Sequence, residues 1–142
     1  MENRDNLNIS TIINDVKNLD ELLKSSFGIQ VITIYKRVSN ILKSLPENNF
    51  KAVDVNLLLE FQEKNLYESY LKITPLVDNF IKENKIEEAL KTITELQKEV
   101  DEFLDSVQIN VKQSEIKSNR ISILLLIVNL CDSILNFKNM NL

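Results

Sequence analysis

Apolar residues recur along most of this chain at spacings of three and four, which places them on one face of an α-helix. The first such stretch runs from about Ile9 to Lys24, and Gly28 after it is predicted to end that helix in a left-handed conformation. A second helix is predicted from Gln30 to Ser44, because Pro46 cannot continue it. The predicted buried positions of this second helix are Ile34, Val38, Ile41, Leu42 and Leu45.

Beyond Pro46 the helical spacing is lost and then returns. The segment from Pro46 to Val55 is polar and is predicted to be a connection. A third helical stretch carries Leu58 and Ile73. The Thr74-Pro75 pair then predicts a break or kink, followed by a short helix from Pro75 to about Lys82.

The last third of the chain predicts two further helices. Asn84 and Glu87 have the spacing of a capping box, so a helix is predicted from there to about Asp105. The β-branched alternation from Val107 to Val111 predicts an extended segment or loop. Ser114 is predicted to cap a last helix from Glu115 to Phe137. The pattern as a whole predicts an all-α bundle of about five or six helices, forming one domain over residues 1–142.

Composition excludes several kinds of chemistry. The absence of His excludes Ser-His-Asp catalysis and His-bearing zinc sites, and a single Gly excludes glycine-rich phosphate-binding loops. A single Cys excludes an internal disulfide, a thiolate zinc site and an iron–sulfur cluster. We therefore predict no catalytic residue, no metal site and no cofactor, and expect a soluble intracellular module that binds a partner. The apolar run from Ile121 to Cys131 is too short to cross a membrane and predicts a buried core helix.

Charge is unevenly distributed along the chain. The net charge of −4 argues against nucleic-acid binding by the surface as a whole. However, residues 31–51 sum to about +3 and residues 112–142 to about +2, with acidic sequence between them. If these two basic segments are neighbours in the fold, a local phosphate-binding face is expected.

Four strings of residues carry a family resemblance. They are Tyr35 to Leu42 (YKRVSNIL), Lys85 to Leu90 (KIEEAL), Val100 to Val107 (VDEFLDSV) and Ser118 to Leu125 (SNRISILL). In this order and spacing they resemble the C-terminal domain of the bacterial glycyl-tRNA synthetase beta subunit, a DALR-type anticodon-binding domain, over about Leu7 to Phe137.

The chain departs from the family pattern at three places. Where the family has Asp-Ala-Leu-Arg, this chain has Ser114 to Lys117 (SEIK). The final charge is thus kept as Lys117, which lacks the two-pronged donor geometry of Arg. Leu104 replaces the second residue of a Phe pair, and Gln108 to Asn110 replaces Met-Val-Met.

The resemblance implies a helical domain that forms the C-terminal part of a larger beta subunit of glycine–tRNA ligase. Its implied partners are the anticodon region of tRNA(Gly), the rest of the beta subunit and the alpha subunit, in the cytoplasm and without a membrane. The catalytic centre for the ATP-dependent ligation of glycine lies on the alpha subunit in that family. This chain alone is expected to be non-catalytic and monomeric.

Seven polar residues are candidates for RNA contact. Cations would hold phosphates of the anticodon stem, and the amide of Asn40 could read a base edge. The candidates are Lys36, Arg37, Asn40, Lys43, Lys117, Asn119 and Arg120.

Several of these candidates, Asn119 among them, could instead have a structural role. Arg37 and Asn40 could pin their helix to Asp105 or to the last helix, and Arg120 could pair with Asp105 or Asp101. Tyr35 and Phe50 could stack on a base or belong to the core. An alternative function is a helical protein–protein interaction domain with no RNA role. That alternative predicts scattered cations and an exposed apolar groove.

Overall fold

The computed structural model of the chain describes residues 21–45 and 52–140, with side chains to residue 135 in the last helix. These residues contain five α-helices of eight or more residues and no strand, which confirms the predicted all-α fold. The elements are α1 (Ser26–Lys43), a short 3₁₀ helix (Val55–Leu57), α2 (Phe61–Lys82), α3 (Ile86–Thr94), α4 (Gln97–Ser106) and α5 (Ser114–Met140). The predicted helix from Ile9 lies largely outside the described residues, as do residues 46–51 of the predicted connection.

The core is formed where α1 and α2 pack against the other three helices. α1 contacts α3 and α5, and α2 contacts α3 and α4. Phe103, Leu66, Leu90 and Leu124 are fully buried between them. Each such side chain stabilises the fold by about 1.5–3 kcal/mol relative to exposure. Packing of amphipathic faces therefore holds the bundle together.

Helix α5 supplies the most apolar part of the core. Its segment Ser114–Leu135 is long and apolar enough to cross a membrane by length and composition alone. However, 56% of its most apolar window is buried inside the bundle. Ile123, Leu124, Ile127 and Cys131 are among its buried residues, as expected for a core helix.

Gly28 does not end a helix, contrary to the prediction. It lies inside α1 with an ordinary helical backbone, and Ser25 is the N-cap residue, whose side chain accepts a hydrogen bond from the Gly28 N–H. A Cβ at this position would clash with the carbonyl oxygen of Leu22 and the Cα of Leu23. Glycine is needed here for close approach of the preceding chain, and α1 begins earlier than predicted.

Pro75 does not divide the helix that contains it. α2 runs without interruption from Phe61 to Lys82, so the predicted break and separate short helix are wrong. Ile73 and Val77 on either side of Pro75 are both buried on the same helix face. Their packing outweighs the backbone hydrogen bond that proline removes.

Asn84 ends α2, although it was predicted to cap the following helix. Its φ of 61° is in the left-handed region, and Lys85 occupies the N-cap position of α3. The Lys85 N–H donates to Phe80 O and the Asn84 N–H to Ile81 O. This is the bond pattern of a Schellman motif, in which Asn is an accepted substitute for Gly.

The helix predicted to end near Asp105 is two helices. α3 ends at Thr94 and α4 begins at Gln97, with Glu95 and Leu96 in a turn. The Thr94 hydroxyl donates to Lys91 O and the Leu96 N–H to Ile93 O, so both bonds span three residues and tighten the backbone. The segment after α4 is a loop, as predicted, and α5 begins at Ser114 itself.

Candidate nucleic-acid interface

The exposed face of α1 carries four of the seven predicted residues. Val31, Ile34, Val38 and Leu42 turn to the core, so the opposite side of the helix faces solvent. Residues one turn apart on a helix are neighbours, which brings exposed polar side chains together in one row. That row contains Lys36, Arg37, Asn40 and Lys43, all exposed.

Arg37 is tied to the acidic helix α4. Its Nη1 donates to Asp101 and its Nη2 lies 3.0 Å from Asp105 Oδ1. This is one of the structural roles considered for it, yet 41% of its side chain is exposed. Ion pairs this exposed contribute about 0–1 kcal/mol, so a competing anion can approach Arg37 at little cost.

Arg120 is enclosed and paired with a residue that the sequence did not single out. It is 7% exposed and Glu63 is 0% exposed. Arg120 Nη2 lies 3.0 Å from Glu63 Oε1, and Nη1 donates to the carbonyl of Gln108. The alternative in which Arg120 pairs with Asp105 or Asp101 is not observed, and those carboxylates bind Arg37 instead.

Asn119 joins α5 to the segment before the 3₁₀ helix. Its Oδ1 accepts from Asp54 N at 2.7 Å and its Nδ2 donates to Asp54 O at 3.1 Å. Asn119 is only 4% exposed. Both ends of the amide are thus used on the backbone of one residue, which fixes residues 52–54 against the start of α5.

The two arginines meet at the same part of the chain. Arg37 binds the carboxylate of Asp105 near the end of α4, and Arg120 binds the carbonyl of Gln108 three residues later. The two basic segments therefore lie close together, but their two arginines are engaged in structural contacts with other parts of the chain. Of the candidate cations, Lys36, Lys43 and Arg37 are exposed and Lys117 is half-buried. Contact of these residues with RNA stays a prediction.

Of the two aromatic candidates for base stacking, one is half-buried and the other lies outside the described residues. Tyr35 is half-buried against the core, and its hydroxyl hydrogen-bonds the Asp132 carboxylate. Burial raises the pKa of Asp132 and this hydrogen bond opposes the rise. Phe50 lies outside the described residues.

A cleft of about 570 Å³ opens between residues 52–57 and the first turns of α5. Ser114, Ser118 and Ser122 line one side at intervals of four residues, and therefore share one helix face. Asp54 and Glu115 add two carboxylates, and Leu57 adds apolar surface. Among the described residues, no lysine or arginine lines this cleft.

Three large apolar side chains are exposed near the 3₁₀ helix. Val55 is 60% exposed, Leu59 54% and Phe61 71%. The other exposed large apolar residues, Ile29, Leu71 and Leu76, lie within α1 and α2. The segment 55–61 thus carries three of the six exposed large apolar side chains in the part of the chain described.

The family pattern that matches this chain and the relatives similar to it agree with each other. The sequence pattern of the DALR anticodon binding domain matches residues 31–139. The glycine–tRNA ligase beta subunit of Sulfurihydrogenibium sp. is 36% identical over 126 residues, which is 88% of this chain and 18% of the relative. The Persephonella marina beta subunit is 26% identical over 122 residues, 86% of this chain and 17% of the relative.

A third relative matches still more of the chain. The glycine–tRNA ligase beta subunit of Buchnera aphidicola subsp. Schizaphis graminum is 30% identical over 132 residues, 93% of this chain and 18% of the relative. The chain therefore spans a small part of the length of these relatives. The matched residues 31–139 include all seven predicted contact residues and the four strings that carry the resemblance. The resemblance is confirmed, and the chain belongs to the DALR anticodon binding domain family.

Proposed function

We propose that this chain binds the anticodon region of tRNA(Gly) as a domain of a glycine–tRNA ligase beta subunit. The observation that carries the proposal is the family match over residues 31–139, which includes the exposed basic row of α1 and the start of α5. In the whole enzyme it works with the rest of the beta subunit and with the alpha subunit, in the cytoplasm. The alpha subunit performs the ATP-dependent ligation of glycine, and the chain by itself is a non-catalytic monomer.

The row on α1 is the proposed phosphate-contacting surface. Lys36 and Lys43 have no ion-pair partner within the described residues, so their charges are available. Arg37 shares its charge with Asp101 and Asp105 and contributes less. Asn40 lies between the cations and offers a donor and an acceptor to a base edge. Lys117 supplies a further cation from α5.

Asn119 and Arg120 act in this proposal as positioning residues. Both are almost fully buried and their polar groups bind Asp54, Glu63 and Gln108. A guanidinium enclosed with a carboxylate cannot reach an RNA phosphate. Their role is to hold the loop segments on either side of α5, so that the exposed residues keep their arrangement.

Binding of the anticodon stem-loop of tRNA(Gly) at several salt concentrations tests the proposal. The Lys36→Ala/Lys43→Ala variant should bind more weakly, and its salt slope should fall by about 1–2, since each phosphate contact contributes about 0.7–0.9 to that slope. Lys64→Ala/Lys72→Ala removes two exposed lysines from α2 and is the control matched in charge. Equal losses in the two variants, or no loss in either, would contradict the proposed surface.

The alternative function is a protein-interaction domain without an RNA role. The exposed Val55, Leu59 and Phe61 favour it, because large apolar side chains exposed within one short segment commonly mark a protein interface. It predicts that the stem-loop does not bind at any salt concentration. It also predicts that Leu59→Ser/Phe61→Ser weakens association with the remainder of the enzyme, whereas Lys36→Ala/Lys43→Ala does not.

A further inference from the structure

We infer that Asp101 and Asp105 of α4 compete with RNA phosphate for Arg37 and thereby limit how tightly the row on α1 binds RNA. This inference rests on the proposed function and adds to it two residues that oppose binding. Arg37 belongs to the proposed phosphate-contacting row, yet both of its terminal nitrogens bind carboxylates. The neighbouring Lys36 and Lys43 have no ion-pair partner within the described residues.

The guanidinium of Arg37 bridges two carboxylates that lie on one face of α4. Asp101 and Asp105 are four residues apart, which makes them neighbours on the helix surface. Arg37 Nη1 donates to Asp101 Oδ1, and Nη2 lies 3.0 Å from Asp105 Oδ1. The same forked donors suit the oxygens of a phosphate. A phosphate that takes these two donors must therefore displace both carboxylates.

Exposure allows this ion pair to open. The side chains of Arg37 and Asp101 are each 41% exposed, and that of Asp105 is 68% exposed. Water can therefore solvate both carboxylates once the guanidinium leaves them, and exposed pairs of this kind are individually weak. The enclosed pair of Arg120 and Glu63 is the opposite case, because opening it would leave two buried charges without partners. Of the two arginines, only Arg37 can exchange a carboxylate for a phosphate.

The position of Asp105 does not favour helix α4 itself. Asp105 lies in the last turn of α4, where the helix dipole disfavours a negative charge, and that turn contains no basic residue. The cation that offsets this charge is Arg37, which comes from α1. Helix α1 packs mainly on α3 and α5 and touches α4 much less. Opening the pair therefore leaves α1 held in place by its other contacts.

The charge balance at Arg37 opposes an arriving phosphate. One guanidinium faces two carboxylates, so the three groups together carry one negative charge. Both carboxylates contact the same guanidinium, so a phosphate bound there would lie within the Debye length of about 8–10 Å from each of them. Salt at physiological concentration thus leaves part of the repulsion in place. The two carboxylates therefore reduce the contribution of Arg37 to RNA binding and leave most of the attraction to Lys36 and Lys43.

Two neutral variants of α4 test the competition by titration of the 142-residue chain with the tRNA(Gly) anticodon stem-loop. Asp101→Asn/Asp105→Asn keeps the size of both side chains and removes their charge. Glu99→Gln/Glu102→Gln is the matched control, because it removes the same charge from the same helix at residues that do not pair with Arg37. We expect the aspartate variant to bind about three- to tenfold more tightly than the control. Its salt slope should be steeper by about 0.7–0.9, which corresponds to one more phosphate contact.

An Arg37→Ala background separates competition for the guanidinium from general repulsion. In that background the aspartate variant and the control should bind equally, within about twofold, because no guanidinium is left to release. A gain that persists without Arg37 would overturn the inference, since the carboxylates would then act on the RNA directly.

The remaining results distinguish the inference from the proposed function. If the native chain binds the stem-loop and the aspartate variant binds no better than the control, the inference is overturned and the proposed function stands. A lower Tm of the aspartate variant without a gain in affinity would also overturn it, because the pair would then serve only the fold. If neither the native chain nor any variant binds the stem-loop at any salt concentration, the proposed function fails and the inference fails with it.

Discussion

Arg120 and Glu63 form an ion pair in which both side chains are almost completely enclosed, with Nη2 and Oε1 3.0 Å apart. The same Oε1 accepts a hydrogen bond from the Glu60 N–H, and Arg120 Nη1 donates to Gln108 O. Within the described residues, Glu63 Oε2 and Arg120 Nε have no partner. The pair thus connects the start of α2, the loop after α4 and helix α5.

Removing only one charge of this pair should destabilise the protein strongly. Glu63→Gln leaves Arg120 as a buried cation without a counter-charge, which costs about 3–5 kcal/mol of unfolding free energy. The double variant Glu63→Leu/Arg120→Met should lose less than the sum of Glu63→Leu and Arg120→Met. Urea denaturation measures each value, with Glu68→Gln as an exposed control. A Glu63→Gln variant as stable as the native protein would contradict the enclosed pair.

Asn119 should matter for stability although it carries no charge. Asn119→Ala removes both hydrogen bonds to the Asp54 backbone, and we expect a loss of about 1–3 kcal/mol. Asn119→Asp keeps an acceptor for Asp54 N but sets a carboxylate against Asp54 O, so it should not restore the native value. The exposed Asn40→Ala is the comparison in the same urea titration. Equal stability of Asn119→Ala and Asn40→Ala would show that the amide contact is unimportant.

Replacing Pro75 should stabilise the protein. Pro75 is exposed inside α2, and alanine at this position supplies the missing N–H and a high helix propensity. We expect a gain of about 1–3 kcal/mol in unfolding free energy, seen as a higher Tm. Asp78→Ala on the same helix controls for helix propensity alone. A Tm that does not rise would mean that alanine cannot form the new backbone bond in this helix.

Cys131 should be unreactive in the folded protein. Burial, together with the charge of Asp132, raises the pKa of its thiol from 9.0 to about 12. The thiolate is the reactive form, so a thiol reagent at pH 8 should label the native chain only after urea unfolding. Rapid labelling of the native chain would contradict the burial.

The same pKa shift has a consequence for stability against pH. The unfolded thiol ionises above pH 9.0 whereas the folded thiol stays protonated up to about pH 12, so unfolding is favoured progressively across that interval. The native protein should therefore lose Tm above pH 9 relative to Cys131→Ala. Parallel Tm curves for the two proteins between pH 9 and pH 11 would be the contrary result.

Local spacing predicted the helices well because each amphipathic face is encoded within a few turns. Val38 and Leu42 recur on one face of α1, and both are buried as the pattern requires. The errors fall where a contact from elsewhere decides the backbone. Gly28 was interpreted as a helix end, but the close approach of Leu22 requires a glycine in that helix. Ile73 and Val77 similarly hold α2 together through Pro75.

Contacts between distant parts of the chain, which local spacing cannot predict, matter even more at the candidate site. The exposed row on α1 follows from helical spacing, because Lys36 and Lys43 lie opposite the buried face. The partner of Arg120 could not be found in this way, since Glu63 is 57 residues away in sequence and no local pattern links them. The only local signal was the spacing of Glu60 and Glu63, which is that of a helix start. The cleft beside α5 likewise combines two distant segments.

The double use of the Glu63 carboxylate makes unfolding of this bundle cooperative. One oxygen of Glu63 both accepts the Glu60 N–H in the first turn of α2 and pairs with Arg120 of α5. Neither helix can therefore fray at this point without leaving a polar or charged group of the other helix unpaired. Partial opening that released only α2 would leave a bare cation in the interior. The Glu60 amide should therefore exchange its hydrogen with deuterium only through global opening, at the rate of the central residues of α5.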